Sequence, residues 1–213
     1  MLEDARILYS YVITRDYGFA PNPFGDYCTL ATCKPDIRRT ATKGDWVIGT
    51  GSNSKKNKLG DRLIYAMKIG EVVSFEDYWN DPRFQYKKPI MNGSKKQKYG
   101  DNIYQFDQEK QKYLQVNSHH SLPDGATNNI NLERDTSGKN VLVSTLFWYF
   151  GEAAPLLPKS LASDIVKNGI GYKKIVDPLI IANFVEWLSK THEKGYVDKP
   201  CLFKNDFERY DGN

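Results

Sequence analysis

Apolar positions cluster in short runs along the first third of this chain, and at helical spacing near its end. Residues 6–14, RILYSYVIT, are β-branched and aromatic and read as a strand. Residues 28–33, CTLATC, predict a short second strand, and PDIRRTA at 35–41 a helical turn or tight bend, with Pro35 suited to a first helical position. After the turn signal Gly44-Asp45, the run Trp46-Val47-Ile48 is too short for a helix and reads as a buried strand, ended by Gly49, Gly51 and Ser52. A basic polar loop covers 53–61. Residues 62–73, RLIYAMKIGEVV, read as one long strand whose glycine marks a bulge. Ser74 then caps a helix carrying Glu76 and Asp77 in its first turn, where the helix dipole favours acids.

The middle, residues 84–138, is the least regular part: short strands are expected near 103–106 and 112–116, and LPDGATNNINLERDTSGKN reads as a loop. NVLVSTLFWYFG at 140–151 predicts a strand turning into a short helix, and 158–169 a helix stopped by glycine. The clearest helix is 177–195, with Asp177 as N-cap, Pro178 at the first position and Gly195 beyond the end. Its stripe of Ile181, Phe184, Val185 and Leu188 is that of a core-facing helix. No repeats and no linker divide the chain, so one domain over 1–213 is expected, with a core at about 5–155, an insertion at 84–138 and a helical part at 156–213.

With 213 residues and 40% hydrophobic side chains, the chain has enough apolar material for a core. A net charge of +4 permits contact with nucleic acid or nucleotides without requiring it. No apolar run spans a bilayer, and the first ten residues have no basic stretch leading into an apolar one. Three cysteines, Cys28, Cys33 and Cys201, argue for free thiols in a reducing, cytoplasmic setting of bacterial or phage type. Cys28 and Cys33 lack zinc-knuckle spacing, so neither a metal nor another cofactor is expected. GTGSNSKKNKLG lacks the spacing of a phosphate-binding P-loop. Gly49, Thr50, Gly51, Ser52 and Asn53 nevertheless place backbone amides and short polar groups at a strand end, a donor set for a base edge or phosphate as well as for a plain turn.

The stretch YGFAPNPFGDYC at 17–28 is unusually aromatic and stiff for a loop. One reading is a satellite core stiffened by prolines. The other is a preformed pocket wall, with Tyr17, Phe19, Phe24 and Tyr27 as stacking rings and Asn22 as donor and acceptor for a base edge. Lysine clusters interleaved with aromatics, among them Lys55, Lys56 and Lys58, and Lys95 and Lys96, are candidates for phosphate. For catalysis the candidate reacting groups are Asp16, Asp26, Cys28, and His119 or His120 of the NSHHS run, which also suit an exposed polar loop.

The motifs DYGFAPNPF at 16–24, CTLATCKP at 28–35, IRR at 37–39 and GDWVIGTGS at 44–52 resemble the second type of nucleotide modification associated domain. GDNIY at 100–104, SHHS at 118–121 and VLVSTLFWYFG at 141–151 extend the resemblance over most of residues 6 to about 175. It implies a place in phage and bacterial systems that modify or police bases. The order of strand, GDWVIGTGS, basic loop, LIYAMKIGEVV and acidic helix is similar to PUA-like barrels with ASCH, EVE and YTH domains. That likeness implies an α+β fold: a mixed β-barrel with peripheral helices and a long irregular insertion.

The leading expectation is therefore binding of a modified base or nucleotide, free or in DNA or RNA, between loop 16–28 and strand end 49–53, with partner proteins from the same operon. The first alternative is a transferase or hydrolase acting on a nucleotide or base. A histidine within hydrogen-bond reach of a carboxylate or Cys28 among the aromatic side chains favours it. The second alternative is a protein-interaction module using the apolar helix at 178–188.

Overall fold

The structure is a computed structural model and describes residues 7–53 and 59–212. Lys55, Lys56 and Lys58 lie outside the described residues. The chain forms two compact units, each assembled from three segments: Met1–Asp16, Ala41–Gly70 and Ser144–Leu202 make the first, and Tyr17–Thr40, Glu71–Val143 and Phe203–Asn213 the second.

The first unit is built on a six-stranded sheet. Its strands are β1 (Leu8–Ile13), β3 (Trp46–Gly51), β4 (Leu63–Lys68), β9 (Leu146–Tyr149), β10 (Tyr172–Ile175) and β11 (Gly195–Tyr196), in the order β10-β1-β3-β4-β9-β11. β1 and β3 run parallel with Leu8 opposite Trp46, and β4 pairs antiparallel to both β3 and β9. β3 is buried along its whole length, in keeping with the apolar run Trp46-Val47-Ile48 that opens it. Helix α5 (Lys159–Ile165) and helix α6 (Pro178–Thr191) complete the unit. Asp177 caps α6 by accepting from the Leu179 amide, and Ile181, Phe184 and Leu188 are its buried stripe. Trp46 meets the Phe184 ring edge-on at 6.2 Å and lies 5.9 Å from Trp148.

The second unit holds a three-stranded sheet of β2 (Cys28–Leu30), β8 (Asn140–Ser144) and β5 (Glu71–Ser74), and a hairpin of β6 (Tyr104–Asp107) and β7 (Lys112–Gln115). Around them stand α1 (Pro35–Thr40), α2 (Phe75–Asn80), a 3-10 turn at Pro82–Lys87, α3 (Lys95–Lys98) and α4 (Asn129–Thr136). Ser74 caps α2 as its sequence predicts.

The mixed α+β class holds, but the sheet does not close into the expected barrel: its order ends at β10 and β11. The expected long strand at 62–73 divides at Gly70 into β4 and β5, which join different sheets. The polar stretch read as a loop before β8 contains α4, because Asn128 caps it by accepting from the Asn131 amide despite its sparse apolar face. The run 140–151 holds two strands, β8 and β9, and turns helical only at a 3-10 turn, Gly151–Ala153; Gly195 opens β11 instead of ending α6. Among the described residues no helix is long and apolar enough to cross a membrane.

Phe184 is fully buried. Phe184→Ala is expected to destabilise the fold by about 3–5 kcal/mol, read as a lower denaturation midpoint; an unchanged midpoint would mean that α6 does not pin the sheet.

Candidate functional site

Cys33 sits between β2 and α1 on backbone that L-residues rarely adopt: φ is 56° at Cys33 and 41° at Lys34. Lys34 precedes Pro35, which disfavours a right-handed helical residue there. Each such left-handed residue costs roughly 1–2 kcal/mol and persists only where its surroundings fix it. Two bonds do so. The Cys33 amide donates to Asp135 Oδ1 at 2.9 Å, and the Cys33 carbonyl accepts from Arg38 Nε at 2.8 Å. Arg38 is fully buried, and its other nitrogens donate to the carbonyls of Asn140, at 2.8 Å, and Asp135. One guanidinium therefore ties the cysteine turn, α4 and the start of β8 together. Gly138 leaves the room it needs, since a Cβ there would fall 2.7 Å from Arg38 Cζ.

Asp135 projects from α4 and is completely buried. Besides the Cys33 amide it accepts from the Tyr104 hydroxyl at 2.8 Å, and His120 Nδ1 lies 2.7 Å from Oδ2. Burial alone would raise its pKa; His120, Arg38 and the Tyr104 hydrogen bond outweigh that and hold the carboxyl below its ordinary value. The other nitrogen of the same imidazole, His120 Nε2, lies 3.8 Å from Cys33 Sγ. Burial pushes the imidazole down, but Asp135 and Cys33 outweigh it and lift His120 to about 9. The result is an imidazole placed between a thiol and a carboxylate, with the carboxylate orienting the ring and favouring its charged form.

The expected site residues have varied fates. Cys28 is buried, and desolvation pushes its thiol up to about 12, the opposite of what a nucleophile needs. Asp26 is exposed at the loop tip. Asp16 belongs to the first unit, where it accepts from the Tyr149 hydroxyl and, at 2.9 Å, from the Cys201 amide. His119 Nδ1 lies 2.6 Å from the Glu208 carbonyl oxygen, so that nitrogen carries a proton and donates. His120 is the one of the pair that joins a thiol to a carboxylate.

The aromatic loop packs on itself and its neighbours. Tyr17 stacks on Tyr99 with ring centroids 5.1 Å apart, and Phe19 contacts both His119, at 4.9 Å, and His120, at 4.7 Å. Phe24 lies 5.9 Å from Phe203, and the Tyr27 ring lies 5.3 Å from Phe84. The Asn22 amide is spent internally: Nδ2 donates to the Tyr99 carbonyl, while Oδ1 accepts from the Phe24 amide and from Lys87 Nζ at 2.7 Å. Lys95 donates to the carbonyls of Phe203 and Asn205, at 2.8 and 2.7 Å, while the Lys96 ammonium lies 5.6 Å from the centre of the Phe24 ring.

In the first unit, the Gly51 amide donates to the Arg62 carbonyl at 2.9 Å and the Thr50 hydroxyl is buried under β1. Ser52 is nearly buried and Asn53 exposed. A Cβ on Gly49 would meet Ile13 at 2.4 Å, so packing accounts for that glycine. Sequence reasoning missed Cys33 and Asp135. The pair Cys33 and His120 is separated by 87 positions, and Asp135 stands in what reads as a loop, so no spacing motif announces them.

The described residues thus define a mixed α+β protein whose second unit carries a cysteine–histidine–aspartate constellation, and among them no cluster of metal-ligating side chains occurs. The sequence profile of nucleotide modification associated domain 2 matches residues 5–207, and the chain belongs to that family. The family's name ties it to nucleotide modification. No curated protein and no solved structure matches the chain.

The raised His120 has a definite consequence for stability. Its contribution is fully present below pH 6.5 and is lost as pH rises through about 9. Lys87 acts oppositely over part of that range: burial lowers its ammonium to about 8, so its penalty is relieved as pH rises further. The difference between wild type and His120→Gln isolates the histidine. That difference is expected to shrink by about 3 kcal/mol between pH 6 and pH 9.5; a pH-independent difference in denaturant titrations would contradict the ion pair.

Proposed function

We propose that this protein is a cysteine-dependent enzyme acting on a nucleotide or base, free or within DNA or RNA, in a base-modification or phage-defence system of the cytoplasm. The observation that carries this reading is the single imidazole lying 3.8 Å from Cys33 Sγ on one side and 2.7 Å from Asp135 on the other. The left-handed backbone at Cys33 and Lys34 supports it, because such strain concentrates at functional turns.

In this reading Cys33 is the nucleophile. With the proton held on His120 Nε2, the sulfur attacks an electrophilic carbon of the substrate and forms an S–C bond. The electron pair of the broken bond leaves with the departing group, which takes its proton from His120. A water or an acceptor nucleotide then displaces the sulfur, giving its own proton back to the imidazole. Asp135 keeps its charge throughout and orients the ring, a role in which its three hydrogen-bonded neighbours keep it from moving.

The base-binding reading needs rings held apart for a heterocycle to enter. Tyr17 and Tyr99, stacked with planes only 10° apart, and an Asn22 amide already bonded on both atoms favour the thiol chemistry instead. Operon partner proteins remain part of the proposal through the family's setting.

Limited alkylation with iodoacetamide tests the reading without knowledge of the substrate. Cys33 is expected to react first by mass spectrometry, and His120→Gln to lower its rate at neutral pH by about tenfold or more. Preferential modification of Cys28 or Cys201, or a rate indifferent to His120, would overturn it. Nucleotide turnover, once found, is expected to vanish in Cys33→Ala.

A further inference from the structure

The segment Phe203–Gly212 has no helix or strand of its own, yet it lies bonded along the element that carries Asp135. Asn128, Asn131 and Arg134 fall three residues apart, on one face of α4 and its cap. Each donates to a main-chain carbonyl of the segment: Asn128 to Asp211 at 3.0 Å, Asn131 to Tyr210 at 2.6 Å, and Arg134 to Gly212 at 3.1 Å. The segment reaches the histidine pair as well. The Tyr210 amide donates to the His119 carbonyl at 2.7 Å, and the Glu208 carbonyl accepts from His119 Nδ1.

We propose that Tyr210 is a positioning residue for His120, an inference that rests on the thiol chemistry proposed above. Two features single it out. Its ring lies 5.5 Å from the His120 ring, while Phe19 supplies another ring contact at 4.7 Å. Arg134 stands 5.2 Å over the Tyr210 ring and holds it there. The second feature is a shared donor: Asn131 Nδ2 bonds the Tyr210 carbonyl and also the His120 carbonyl, at 3.0 Å. Unseating Tyr210 therefore removes a wall from the face of the imidazole, while Gln115, donating to the His120 carbonyl at 3.2 Å, still holds the backbone. Asp135 fixes Nδ1, but one hydrogen bond leaves the ring a hinge about that point. At 3.8 Å the contact between Nε2 and Cys33 Sγ tolerates little swing. The charged and titratable groups around the ring are Asp135, Arg38, Arg134, Tyr104, His119 and Cys33; of these Arg134 is hydrogen-bonded to the Tyr210 side chain, so Tyr210→Phe is needed to separate that bond from the loss of the ring.

The test is the pH profile of Cys33 alkylation by iodoacetamide in the full chain, for Tyr210→Phe, Tyr210→Ala and Tyr210→Pro beside wild type and His120→Gln. Tyr210→Phe keeps ring and amide, loses only the side-chain hydrogen bond with Arg134, and is expected to match wild type in its alkylation profile. Tyr210→Ala loses the ring and Tyr210→Pro also loses the donated N–H. Both are expected to move the profile to higher pH and to slow the neutral-pH rate about tenfold, while folding cooperatively. A lower melting temperature with an unmoved profile would show a structural role and overturn the proposal. If His120→Gln shifts the profile and the Tyr210 variants do not, positioning fails and the thiol reading stands. If His120→Gln leaves the profile where wild type has it, both fail.

Discussion

A carboxylate with no access to water is the constraint on which the second unit turns. Leaving such a charge buried and unpaired costs several kcal/mol. Asp135 avoids that cost by gathering an amide, a phenol and an imidazole, each from a different piece of chain. The amide belongs to the turn after β2, the phenol to the hairpin strand β6, and the imidazole to the SHHS turn. No two of these are near in sequence, so the carboxylate is a point where separate segments must meet correctly or not at all. Arg38 secures the same junction from the backbone side, spending its donors on three carbonyls. The left-handed turn at Cys33 exists because these two side chains hold both its amide and its carbonyl.

A second buried polar centre explains the stiffness of the aromatic loop. Lys87 Nζ donates to the Asn22 carbonyl, to its side-chain oxygen and to the Phe24 carbonyl, so the Asn-Pro-Phe turn is wound around an ammonium. Asp101 lies in the same core, accepting from Thr29 at 2.7 Å and Tyr78 at 2.8 Å. Burial lowers the lysine and raises the aspartate, each opposed by the other's charge. With the loop fixed this way, Phe19 is a rigid surface against both histidines. The aromatic loop thus sets Phe19 against both imidazole rings.

β1, β3, α2 and α6 were legible because their signals are local: Ser74 and Asp177 cap as their side chains dictate, and β3 opens on the apolar run Trp46-Val47-Ile48. What escaped was non-local or polar. α4 and its cap carry three asparagines and few apolar residues, and its contacts with the hairpin and the 203–212 segment add to the Asn128 cap in explaining why it is a helix. The division at Gly70 was hidden because β4 and β5 each read as strand; pairing partners from distant sequence decide which sheet each joins. At the site, the histidine pair was visible as a motif, whereas choosing Cys33 over Cys28 required knowing which thiol faces the imidazole and which is sealed in the core.

Nitrogen NMR of the labelled imidazoles measures the central arrangement most directly. The account predicts a His120 ring protonated on both nitrogens at neutral pH, with its Nδ1 proton strongly hydrogen-bonded, reverting to a neutral ring in Asp135→Asn. A neutral His120 at that pH in the wild-type protein, or one whose signals ignore Asp135→Asn, would contradict it.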